Sequence, residues 1–167
     1  MSQRIDYTSA PSAAMKAMYG MQVAVDHSGL EHSLLDLVNM RASQINGCAY
    51  CLDMHSKDAL ARGETDQRLF LLDAWRETPF YSDRERAALL WCETLTLISE
   101  RGAPDEVYEE VRTEFSEEEL VNLTLAIVTI NAWNRIAIGF QADVGGYDPA
   151  KNQKLKRDVR AKAEAAV

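Results

Sequence analysis

The residues best suited to chemistry lie in one short run, Asn46-Gly47-Cys48-Ala49-Tyr50-Cys51-Leu52-Asp53-Met54-His55. At about 100° per residue, Cys48, Cys51 and His55 fall within an arc of about 60°, so one helix face would carry two thiols and an imidazole. A helix that begins near Cys48 puts both sulfurs in its first turn, where unpaired N–H groups and the dipole favour an anion. That placement lowers a thiol pKa from about 8.5 into a range of roughly 3.5–7.5. His55, four residues beyond Cys51, is within reach of its sulfur or of whatever the sulfur attacks.

Magnitudes decide which of these effects matters more. Lowering a thiol from pKa ~8.5 to ~6.5 raises its thiolate fraction at pH 7 by about 25-fold. Intrinsic nucleophilicity falls with a Brønsted slope of about 0.4–0.5, which returns roughly eightfold of that gain. A positioned acid–base group typically contributes 10²–10⁴-fold, so the histidine beside the pair is worth more than the low pKa. Two other readings of these residues stay open. The cysteines can be plain core residues, or part of a metal site. Zinc needs four ligands, and only Cys48, Cys51 and His55 cluster, so His27 or His32 would have to come in from afar.

Composition bounds the rest. In 167 residues there are 26 acidic and 18 basic side chains, a net charge of -8, which argues against a nucleic-acid partner. No run of about 20 uninterrupted apolar residues suggests a membrane span, and Met1-Ser2-Gln3-Arg4-Ile5-Asp6 has no apolar signal core behind its charge. Three cysteines are too few for a secreted disulfide framework, so a C-x-x-C pair in a reducing compartment is expected to be redox-active or metal-binding. The expectation is a cytoplasmic, single-domain protein over residues 1–167 with a core at about 30–140.

The elements that position the cysteine run read as helices throughout. Apolar stripes at i, i+3, i+4 spacing predict helices at about 12–25 and 31–45, and Asn46-Gly47 then interrupts the pattern. A new helix runs from about Cys48 to Arg62, with Gly63 as its C-terminal signal. Further segments follow at about 65–76, 83–100, 104–113 and 117–141. Two of them open on S-x-x-E capping boxes, Ser82 with Glu85 and Ser116 with Glu119. An Ala-rich basic tail with helical potential follows Pro149. Cys92, among Leu89, Leu90, Trp91 and Leu95, reads as a small apolar core residue. Glu93 reads either as a buried carboxylate or as part of a solvated face. The fold class is all-α.

The run Asn46 to His55, preceded by Leu-Leu-Asp-Leu-Val-Asn-Met-Arg-Ala-Ser-Gln-Ile, resembles the core of the AhpD-like alkylhydroperoxidases of the carboxymuconolactone decarboxylase superfamily. The likeness extends over about residues 30–140. It takes in Glu85-Arg86-Ala87-Ala88-Leu89 with Glu93, and Ile130-Asn131-Ala132-Trp133-Asn134-Arg135-Ile136. The resemblance implies an AhpD-like bundle of about six to seven helices that assembles as a homo-oligomer, a trimer or hexamer. It implies that the cysteines reduce hydroperoxides through a disulfide, reopened by a lipoyl group or a thioredoxin-like protein, with no cofactor. By motif position Cys51 resembles the peroxide-attacking cysteine and Cys48 its resolving partner. His55 resembles the proton-relay histidine, and Asp36 holds the place of the relay carboxylate, where many members carry Glu. Tyr50 stands between the cysteines where a well-studied type of member has His. The alternatives are a dithiol-exchange or redox-sensing protein, and a non-redox member with vestigial cysteines.

Overall fold

The computed structural model describes residues 3–9 and 12–151, and every regular element among them is helical. In chain order these are α1 (Ala13–Asp26), α2 (His32–Asn46), α3 (Ala49–Ala61), α4 (Asp66–Leu71), a 3-10 helix (Leu72–Glu77), α5 (Asp83–Thr96), α6 (Ile98–Arg101), α7 (Asp105–Val111) and α8 (Glu117–Phe140). The basic tail lies outside the described residues.

Local chemistry sets most of the starts and stops. Ser82 and Ser116 each accept a hydrogen bond from the backbone N–H three residues on, and Glu85 and Glu119 return the bond, so both expected capping boxes form. α2 ends at Gly47, whose φ of 67° is left-handed, and its N–H closes onto Gln44. A side chain there would be strained, and this turn is what sends the chain back along α2 as α3. Two expected segments divide. The segment at 83–100 breaks at Leu97, giving α5 and α6, and 65–76 becomes α4 followed by a 3-10 turn kinked at Ala74. Neither break carries a glycine or proline, so no local signal marks it.

α2 is the hub. It packs against α3, α5 and α8, and Leu34, Leu35, Leu37, Val38, Met40 and Ala42 are buried along it. One apolar cluster joins Leu34, Val38 and Ala42 to Ala88 and Cys92 of α5 and to Leu123, Ile127 and Ile130 of α8. A second joins Leu37 and Met40 to Ala59, Leu72 and Trp75. Completely buried leucines such as Leu37 and Leu123 are each worth about 1.5–3 kcal/mol of burial. By length and composition α8 could cross a membrane, with 24 residues and a mean hydropathy of 1.3 over its most apolar window. Here it packs against α1, α2, α3 and α5.

Candidate active site

The site grows out of the turn between α2 and α3. Cys48 is the N-cap of α3 rather than a residue of its first turn: its backbone is extended, and its Sγ accepts from the N–H of Cys51 at 3.3 Å. A cap residue normally offers oxygen to the orphan N–H groups, and here sulfur takes that place. Cys48 and Cys51 are joined as a disulfide, with Cα atoms 5.3 Å apart. Both are buried, at 1% and 2% exposure, against Ala137 of α8 and partly buried Tyr50 and Ala142. Among the described residues no three His, Cys, Asp or Glu side chains group as metal ligands.

A polar net holds this corner from below. Cys48 N–H donates to the Ser43 carbonyl at 3.0 Å. Asn46 donates through Nδ2 to Oδ1 of Asn131 and of Asn134, at 3.0 and 2.9 Å. Fully buried Asn134 donates in turn to Ser43 Oγ at 3.0 Å. These amides lock the α2–α3 turn onto α8, because a buried amide left without a partner costs about 1–3 kcal/mol. In the sequence Asn134 stands out only as part of the run Ile130 to Ile136 that carries the resemblance. That run gives no sign of which residues Asn134 meets.

His55 lies one turn past Cys51 on α3. It keeps part of its surface exposed, yet close packing pushes the imidazole down to about 4, and the Arg62 guanidinium adds to the shift. The ring is therefore neutral at pH 7. Tyr50 is half-buried, and burial raises its phenol, helped by the nearby Tyr19 and Asp53. The N-terminal segment closes on the same region. Arg4 donates to the carbonyls of Phe140 and Gly139 at the end of α8, where a cation suits the dipole, and the Tyr7 ring lies 6.0 Å from Phe140. Burial and then the neighbouring Tyr50 push the Tyr7 phenol up to about 12.

Asp36, at the place of the relay carboxylate, is bonded directly to Arg62. It is buried on α2, and both its oxygens accept from Arg62, at 2.7 Å from Nε to Oδ2 and by a second bond from Nη2. Burial pushes its carboxyl above the usual range, and Arg62 pulls it only part of the way back. A cavity of about 320 Å³ opens here, lined by His32, Ser33, Asp36, Ala59, Arg62 and Glu64. Arg62 has no motif to announce it. The signal that finds it is the Gly47 turn: Asp36 and Arg62 lie about three and four helical turns on either side, so an antiparallel pair sets them face to face.

Glu93 proves to be a half-buried carboxylate on another face. Burial would raise it, but Trp75 Nε1, Arg76 and Arg41 hold it below the usual carboxylate range, at 2.9, 2.6 and 2.8 Å. Arg41 lies about 140° round α2 from Asp36, so this cluster braces α2 against α5 away from the cysteines. Cys92 is completely buried in the main apolar cluster. His27 ends α1, with its Nδ1 2.8 Å from the Val23 carbonyl oxygen.

Comparison with known proteins agrees with this fold. Residues 12–94 match the Carboxymuconolactone decarboxylase family. The chain is 46% identical over 138 residues to the uncharacterized protein YdfG of Bacillus subtilis, spanning 83% of this chain and 94% of that one. A crystal structure from Agrobacterium tumefaciens, of a protein of unknown function described as a putative antioxidant defence protein AhpD, superposes with a TM-score of 0.83. It is 45% identical and covers 87% of this chain and all of its own. The debrominase Bmp8 shares the fold at 21% identity and a TM-score of 0.67, over 78% of this chain and 70% of that one. With such likeness along nearly the whole length of the Bacillus subtilis and Agrobacterium tumefaciens proteins, and a cysteine pair at the head of α3, the chain belongs to the carboxymuconolactone decarboxylase family as an AhpD-like member.

Proposed function

We propose that the protein is a thiol-dependent peroxidase that reduces hydroperoxides at Cys51. The observation that carries this reading is the buried Cys48–Cys51 disulfide at the N-terminus of α3, with His55 one turn further along the same helix. In the reduced state the Cys51 thiolate sits among the free N–H groups of the first turn, which favour the anion. It attacks the terminal peroxide oxygen: the S–O bond forms, the O–O bond breaks, and the leaving alkoxide takes a proton. Cys51 is left as a sulfenic acid. The Cys48 thiol condenses with it, releasing water and closing the disulfide. A dithiol donor returns two electrons and two protons, and a slender lipoyl arm suits the buried pair better than a thioredoxin-like protein.

The low exposure of both sulfurs favours this reading over general dithiol exchange. A peroxide, or a slender dithiol arm, needs far less open surface than the sulfur of a folded partner. The test is peroxide consumption by the purified protein with a dithiol reductant. Wild-type turnover in Cys51→Ser would remove the nucleophile from the scheme.

The same reading includes assembly as a trimer or hexamer. α1 is an apolar helix in which only Val25 is fully buried, with Tyr19, Met21 and Val23 exposed, and α8 exposes Val121, Leu125 and Val128 along one stripe. Exposed apolar residues of this kind are typical of interfaces. Light scattering should give a multiple of the chain mass at micromolar concentration, and a monomer would overturn the assembly.

A further inference from the structure

A groove at the other end of α8 from the cysteines stands open. It lies between α5, α7 and the first turns of α8 and has a volume of about 580 Å³. Trp91, Phe115 and Leu120 are buried along its floor, while Tyr108, Val121 and Leu125 stay exposed on its walls. The Trp91 indole donates to Thr124 Oγ1 at 2.9 Å, and its ring lies 6.4 Å from that of Tyr108, so the floor is held in shape. Apolar side chains left exposed around such a groove mark a surface that another chain covers.

The rim indicates which chain. From Asp105 to Glu119 there are eight acids and one base, Arg112. Glu117 lines the groove, and Asp105, Glu109 and Glu118 lie on its flanks by their bearings on α7 and α8. Of the eight acids, ion pairs among the described residues engage Glu109, with Arg112, and Glu119, with Arg84. The complement is in the sequence itself. Residues 151–167 carry six lysines and arginines against Asp158 and Glu164. Within them Leu155, Val159 and Ala163 recur every four residues, the spacing that gathers side chains on one helix face. We propose that the groove is the docking surface for segment 152–167 of a second copy of this chain, its apolar residues on Trp91, Val121 and Leu125 and its bases over the acidic rim. Opposite charge brings the segment in and sets its direction, and the apolar contacts hold it.

The position of Tyr147 makes a second copy the donor. Its hydroxyl donates to Asp58 Oδ1 at 2.8 Å and its carbonyl accepts from Lys57 Nζ at 3.1 Å, so the chain after α8 runs along α3. Ala137, which packs on the α3 cysteines, and Thr124, which bonds Trp91, point about 140° apart around α8. The segment therefore leaves the fold on the far side of α8 from the groove, and a neighbouring copy reaches the groove without rounding the molecule. This exchange rests on the assembly proposed above and not on the peroxide chemistry.

The test places the photo-crosslinker p-benzoylphenylalanine at position 159 of the full chain, in place of Val159, and maps the products by mass spectrometry. Cross-links should join two chains, giving twice the chain mass on a denaturing gel, and should fall on α7 and on residues 117–125. Glu117→Gln/Glu118→Gln leaves the Ser116–Glu119 capping box intact and should lower the yield at least about fivefold, as should salt at about 0.5 M. Cross-links confined to one chain, cross-links to another surface, or an unmoved yield in the glutamine variant overturn the proposal. Light scattering on the same sample separates the two readings: a multiple of the chain mass without these cross-links sinks the docking alone, and a monomer sinks the assembly.

Discussion

Cys92 and the Cys48–Cys51 pair are equally buried and yet are opposite kinds of sulfur. Cys92 lies inside α5, completely enclosed by the main apolar cluster, its Sγ 3.5 Å from the Val38 carbonyl oxygen. Burial pushes its thiol up to about 12, so it stays protonated at any physiological pH. Cys48 and Cys51 are just as hidden, but they occupy the cap and first turn of α3, where backbone N–H groups have no carbonyl to bond. Loss of solvent alone makes a thiol inert. On the proposed reading, a helix N-terminus and an imidazole one turn away are what let a buried thiol ionise and react.

The largest effect that would sharpen this contrast is on turnover. Cys51→Ser should lower peroxide consumption by at least about a thousandfold, as expected when a nucleophile is removed. Cys48→Ser should spend one equivalent of peroxide and then stop without closing a disulfide. Cys92→Ala should keep wild-type turnover, and a loss there comparable to that of Cys51→Ser would break the comparison.

His55 comes next. His55→Gln should slow the peroxide step by about 10²-fold or more, the usual worth of a positioned proton-transfer group. It should also change stability in acid. The folded imidazole titrates near 4 and an ordinary one near 6.5, so between those values the unfolded chain binds a proton that the folded chain refuses. This contribution is intact above about pH 6.5 and is lost as the pH falls toward 4, by at most about 3 kcal/mol. Urea unfolding at pH 7 and at pH 4.5 should show a smaller drop for His55→Gln than for wild type.

The smallest effect belongs to Cys92. Cys92→Ala should cost about 1 kcal/mol through the small cavity it leaves. The wild-type thiol also makes the fold sensitive to base. Above about pH 9 the unfolded thiol ionises while the folded one does not until about 12, so stability falls as the pH rises through that window. Denaturant midpoints at pH 7 and 10 should converge between wild type and Cys92→Ala as the pH rises.

Two buried carboxylates teach a related lesson. Glu93 has three donors around it and is held as an anion, whereas Asp36 depends on a single arginine and is pushed upward by burial. Asp36 was singled out only by the resemblance to AhpD-like members, and Glu93 could not be told from a solvated residue. Neither reading could supply the partners. Arg62 is 26 residues from Asp36, and Arg41 is 52 from Glu93. The breaks at Leu97 and Ala74 were equally hidden, because no glycine or proline marks them.

What the sequence determined by itself was local. Serine–glutamate boxes started α5 and α8, Gly47 turned the chain, and a repeat of about 3.6 residues put Cys51 and His55 one turn apart on α3, with Cys48 at its cap. All of these rest on interactions within a few residues. Tertiary structure decided the rest: that the cysteine pair is sealed against Ala137, that Asn134 ties the turn to α8, and that Asp36 faces a guanidinium. Side chains that meet across antiparallel helices are chosen by how the helices pack, and that packing depends on the whole core at once.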